Sequence, residues 1–83
     1  MLLADGFEDA VIGYIEAMRE PMRVVYDREK CIQILMNEEH GGLDREEAED
    51  YFEYNVAGSY VGEMTPVYMI TATVEEIHEL ADA

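Results

Sequence analysis

The sequence predicts an α+β fold: a small three-stranded sheet, built from a hairpin plus one strand, covered by two helices, with a short C-terminal helix. Three observations carry this. Stretches rich in β-branched and aromatic residues, "AVIGYIEAM", "MRVVYD" and "PVYMITA", alternate with stretches whose apolar residues recur at helical spacing. Capping residues and glycines punctuate the helical stretches where a helix would start and stop. Eighty-three residues, 49% of them hydrophobic, are enough for one domain (1–83) near the lower end of what folds alone.

The first segment reads two ways. Phe7, Val11, Ile12, Ile15 and Met18 recur at helical spacing, and Asp5 with Glu8 would form a capping box. Gly13 weighs against a helix there, since glycine in a helix interior costs about 1 kcal/mol relative to alanine. Pro21 supplies a turn before "MRVVYD", so on periodicity alone residues 7–18 stay balanced between strand and helix.

The later elements are clearer. Asp27 caps a helix over about 28–39, with Cys31, Ile32, Leu35 and Met36 on one face and glycines at its end. Asp44 and Glu47 form a capping box for a helix over about 45–60. Its stripe runs through Ala48, Tyr51, Phe52, Asn55, Val56, Ser59 and Tyr60. Pro66 precedes a strand over about 66–71, and Thr73 with Glu76 caps a final short helix, "VEEIHELADA". Both long helices are expected on one face of an antiparallel or mixed sheet.

The motifs "VYDREKCIQILM" and "DREEAEDYFEYNVAGSYVGEMTPV" resemble a family of small uncharacterised proteins encoded by bacteriophages. The resemblance rests on Val25-Tyr26-Asp27, Lys30-Cys31-Ile32, Glu46-Glu47-Ala48, the run from Tyr51 to Val56, and Gly62-Glu63 with Thr65-Pro66. It covers roughly residues 7–68. It implies that "VIGYIE" is a first strand, which favours a hairpin over about 10–17 and 22–26. It implies no activity, cofactor or site residue. The acidic tail beyond "TPVYM" departs from the family pattern.

The net charge is −15, from twenty acids against five Lys and Arg. Small soluble domains ordinarily carry a magnitude of roughly 2–8. Six Tyr and two Phe among regular aliphatics argue against disorder. Five scattered cations make no basic patch, so direct binding of nucleic acid or anionic lipid is not expected. The charge is uneven: residues 44–83 hold eleven acids and one base, Arg45.

On the predicted helix 45–60, Glu46, Glu49, Asp50 and Glu53 gather opposite the apolar stripe, with Tyr54 at the border. Glu46–Asp50 and Glu49–Glu53 are like-charge i,i+4 pairs, each unfavourable by about 0.2–0.5 kcal/mol. That repulsion marks a surface meant for a basic partner, with the tail acids Glu75, Glu76, Glu79 and Asp82 as an extension. The bland alternative is a solvated face. One such helix spans only a few phosphate spacings, so imitation of nucleic acid would need those tail acids on the same side, or a second subunit.

Other chemistry is thinly represented. "DREEAED" lacks the glycine of a calcium loop, and His40 and His78 have no Cys or His at zinc-ligand spacing, so no metal or cofactor is expected. Cys31 falls on the apolar face of its helix, Ser59 has no placed base, and no glycine loop cradles phosphate, so the chain is read as no enzyme. A single cysteine, the absence of an apolar run near the roughly 20 residues that span a bilayer, and an N-terminus unlike a signal peptide favour host cytoplasm.

Three functions follow as expectations. The first is a phage accessory protein that inhibits a host nucleic-acid-binding or antiviral-defence protein, a CRISPR effector among them, through partner-binding residues Glu46, Glu49, Asp50, Glu53, Tyr54, Glu75 and Glu79. The second is a structural or assembly module acting through apolar surface and oligomerisation; an open sheet edge and many Tyr and Met favour a homodimer. The third is a protein that sequesters a small molecule.

Overall fold

The computed structural model describes residues 2–16, 18–39, 41–58, 62 and 64–82. Strands β1 (Val11–Ile15) and β2 (Arg23–Asp27) pair antiparallel, so the first segment is the hairpin. The Asp5–Glu8 capping box does not form. Glu8 instead accepts from the Gly6 backbone N–H, and a single 3-10 turn, Glu8–Ala10, leads into β1. The β-branched run pairs with β2, with an irregularity between Val11 and Gly13.

Asp27 ends β2 and caps α1 (Arg28–Met36): its Oδ1 accepts from the Lys30 backbone N–H at 3.3 Å. Helix α1 stops three residues earlier than the expected 39. Asn37 turns extended, Gly42 donates back to the Asn37 carbonyl at 2.9 Å, and Gly42 takes a left-handed φ of 62°. Helix α2 (Arg45–Tyr51) opens on the predicted Asp44–Glu47 capping box. The carboxyl of Asp44 is held below the usual range by the Glu47 backbone N–H.

Strand β3 (Val67–Met69) lies parallel to β2, giving a mixed sheet of order β1-β2-β3. Parallel neighbours cannot be joined by a tight turn, and α1 and α2 form the crossover between them. Helix α3 (Val74–Ala81) begins at the Thr73–Glu76 capping box. Among the described residues, no helix is long and apolar enough to cross a membrane.

The core lies between one sheet face and the two crossover helices. Val24 and Tyr26 point into it from β2, meeting Cys31, Ile32 and Leu35 of α1, Ala48 of α2 and Phe52. Tyr68 of β3 stacks on Tyr26 with ring centroids 5.7 Å apart, and Phe52 meets Tyr68 edge-on at 5.0 Å. The Tyr26 hydroxyl accepts from the Ala4 backbone N–H at 2.8 Å, tying the N-terminal segment across the core. By strand alternation, Arg23, Val25, Val67 and Met69 face away from the helices.

The expected helix 45–60 changes register. After Tyr51 it continues as a π-helix, Phe52–Ala57, an uncommon widening of the turn. The apolar stripe drifts as a result: Phe52 is buried and Val56 half-buried, but Asn55 is exposed and Tyr54 is 82% exposed. Ser59 and Tyr60 lie outside the described residues. The widened turn brings carbonyls close to Gly58, where a Cβ would sit 2.7 Å from the Glu53 oxygen and 3.2 Å from that of Tyr54. Gly58→Ala is therefore expected to destabilise by about 1–3 kcal/mol, read as a lower urea midpoint. Gly13→Ala, with nothing within 4 Å of the new methyl, is the control that should leave the midpoint in place.

Candidate interaction surfaces

Two surfaces are candidates, one acidic and one apolar. The acidic surface is built on α2, which the Asp44–Glu47 box starts and Phe52 anchors to the core. Arg45 in its first turn donates through Nε to Glu49 Oε1 at 2.7 Å and through Nη2 to Glu29 Oε2 at 2.8 Å, clamping α2 to α1. The Arg45 guanidinium holds the Glu29 carboxyl below the usual carboxylate range. One turn on, Arg28 of α1 reaches Glu53 Oε1 at 2.7 Å while its guanidinium lies 5.3 Å above the Phe52 ring.

These pairs correct the expectation of four uncompensated carboxylates. Glu49 and Glu53 are each matched by an arginine of the same chain, so the predicted Glu49–Glu53 repulsion is relieved. The Arg45–Glu49 spacing of four was readable in the sequence; Arg28, 25 residues from Glu53, was not. Glu46 and Asp50 remain exposed, with no ion pair among the described residues, and Tyr54 projects beside them. Glu75 and Glu79 are exposed on α3, which buries none of its residues, so no packing joins the tail acids to those of α2.

The apolar surface was not singled out from the sequence, although its signal is there. On α3, Val74, Ile77, Leu80 and Ala81 fall within one third of the helix circumference, while Glu75, Glu76, Glu79 and Asp82 occupy the other side. That stripe is exposed: Val74 is 70%, Ile77 52% and Leu80 71% accessible. The sheet face turned away from α1 and α2 is open only toward its corners: Val25 at its centre is buried, while Ile15 and Met69 are each about two-fifths exposed. Tyr14 is 59% exposed on β1, one of the two edge strands.

Two further features bear on chemistry. Burial pushes the Cys31 thiol up to about 11, with Asp27 nearby adding to the shift, so at neutral pH it is a protonated core group and no nucleophile. An open groove of about 430 Å3 lies between the N-terminal segment and α2, lined by Leu2, Leu3, Phe7, Tyr51, Val56 and Tyr68 among others. Its lining is mixed, with Asp5 and Asn55 beside the apolar side chains. His40 lies outside the described residues, and His78 is exposed on α3.

No family model matches this chain, and no curated protein or solved structure is significantly similar to it.

Proposed function

We propose that this protein is a non-enzymatic assembly module, engaging another macromolecule through the apolar surface of α3 and the exposed corners of the outer sheet face. One observation carries the reading: α3 is eight residues long, buries no residue, and turns an apolar stripe to water. An isolated helix shorter than about 12–15 residues is marginal in water, and most helical stability in proteins comes from packing an amphipathic face. A helix of this length and pattern is completed by a binding partner.

The test uses the tagged full chain as bait in host lysate, comparing two sets of substitutions. Ile77→Glu with Leu80→Glu is expected to lower partner retention at least about tenfold. Glu46→Gln with Asp50→Asn, the α2 acids with no ion pair among the described residues, is expected to leave it intact. The opposite pattern would overturn the reading.

A second reading is supported by the net charge of −15 and by Glu46, Asp50 and Tyr54 standing exposed together. In it, a phage accessory protein in the host cytoplasm binds and inhibits a basic, nucleic-acid-binding or antiviral-defence protein such as a CRISPR effector. The resemblance of residues 25–66 to phage-encoded proteins agrees with it. The in-chain pairing of Glu49 and Glu53 narrows its contact set, leaving Glu46, Asp50 and the tail acids Glu75 and Glu79 to meet an Arg/Lys groove. Such binding weakens steeply with salt. Unchanged affinity between about 50 and 500 mM salt would exclude it.

A further inference from the structure

We propose that the partner of the apolar surface is a second copy of this chain, in a two-fold dimer in which α3 of each copy lies against the exposed part of the other's outer sheet face. This rests on the assembly reading and commits it to one occupant. The chain exposes 6342 Å2 at a mass of 9.5 kDa, whereas a compact monomer of that mass exposes about 5,000 Å2. The surplus, on the order of 1,300 Å2, exceeds the ~800 Å2 per partner of a standard interface. The radius of gyration agrees: 14.0 Å, against about 12 Å for a compact chain of this length.

The two apolar surfaces are complementary in kind. A sheet face and a helix stripe are the two halves of an ordinary layer contact, and here one chain carries both halves without joining them. In a two-fold arrangement each copy gives its helix and receives the other's, so one contact made twice covers all four surfaces. Residues 70–73 carry α3 away from the end of β3 without helix or strand, a reach of roughly 13 Å. Ile70, in that tether, is itself 71% exposed.

Arg23 points from β2 toward the outer face, its Nε donating to the Thr65 carbonyl at 2.6 Å, and Arg19 sits in the turn of the same hairpin. Neither forms an ion pair among the described residues, although the chain is rich in carboxylates. An α3 laid stripe-down on that face turns Glu75, Glu79 and Asp82 to water, so apolar contact and not these cations carries the pairing. Two copies of charge −15 repel at long range, so salt strengthens this association by screening. A basic partner gives the opposite sign.

The test is sedimentation velocity on the full chain across concentration and salt, with isotope-filtered NOEs between labelled and unlabelled copies. The expected results are a dimer that tightens between about 50 and 500 mM salt and intermolecular NOEs from the Val74, Ile77 or Leu80 methyls to Ile15 or Met69. Ile77→Glu with Leu80→Glu is expected to weaken it on the order of a hundredfold or more, since each substitution occurs twice in the dimer. These residues are outside the core, so near-UV circular dichroism of the variant should keep its folded signature. A chain monomeric at millimolar concentration, or NOEs from all of these methyls that are intramolecular only, would overturn the proposal. If the wild type is monomeric while the α3 variant still loses a lysate partner, the second-copy assignment fails and the assembly reading stands. If dimer and lysate partner both survive the substitutions, both fail.

Discussion

Phe52→Ala is expected to bring this domain to the edge of unfolding, with a loss of about 3–5 kcal/mol. Phe52 is 1% exposed and is the residue through which three elements meet. It starts the π-helical continuation of α2, packs edge-on against Tyr68 of β3, and carries the Arg28 guanidinium of α1 over its ring. Truncation leaves a cavity under β3, removes an aromatic pair worth about 0.5–1.5 kcal/mol beyond its area, and frees Arg28 from its ring. A chain of this size has roughly 4–12 kcal/mol of total stability. Urea unfolding followed by near-UV circular dichroism measures the loss. A change below about 1 kcal/mol would mean that the Phe52–Tyr68–Arg28 cluster does not hold the crossover to the sheet. Leu80→Ala on the exposed stripe is the contrast, expected to stay within about 0.5 kcal/mol for the monomer.

The features legible in the sequence are those set by neighbours in the chain. The caps at Asp27, Asp44 and Thr73 lie within three residues of the N–H groups they accept from, and all three form. The hairpin is less legible, because Val11, Ile12 and Ile15 satisfy both the strand and the helix period. What decides the matter is pairing with β2, a tertiary fact. Parallel β3 is similarly non-local: three residues, Val67–Met69, have no orientation until α1 and α2 have crossed over.

The π-helix is the clearest loss. "YFEYNVAGSY" fits a 3,4 stripe without fault, and only Gly58, too close to the Glu53 carbonyl for any other residue, hints that the turn widens. For the acidic face, counting carboxylates along one helix omitted what other elements bring to it. Arg28 reaches Glu53 only because α1 packs beside α2. The stripe of α3 was visible in the spacing of Val74, Ile77 and Leu80, but whether a fold covers its last helix is settled by packing, and here the chain's own fold does not cover it.

Alkaline pH should unfold the protein earlier than its surface composition would suggest, because the core contains two acids that ionise late. Burial pushes the Cys31 thiol up to about 11 and the Tyr68 phenol up to about 12, with Tyr26 and Cys31 close enough to add to the second shift. In the unfolded chain these groups ionise near 8.5–9 and 10. Both folded values are raised, so the native state binds the protons more tightly. The stability they contribute is full below the unfolded value and is lost as pH rises through the folded one. The Cys31 contribution should therefore drain between about pH 9 and 11, and that of Tyr68 between about 10 and 12. A shift of two units corresponds to roughly 2–3 kcal/mol for Cys31, a sizeable share of the stability of so small a domain. Urea midpoints at pH 8, 10 and 11 should fall in step. Cys31→Ala should start from a lower midpoint because it vacates core volume, and then show a flatter decline up to pH 11. Tyr68→Phe keeps the ring against Phe52 and should flatten the steeper part above pH 10. An identical decline in the double variant would assign the alkaline loss elsewhere, and a wild-type midpoint constant from pH 8 to 11 would mean that the thiol reaches solvent despite its place on the buried face of α1.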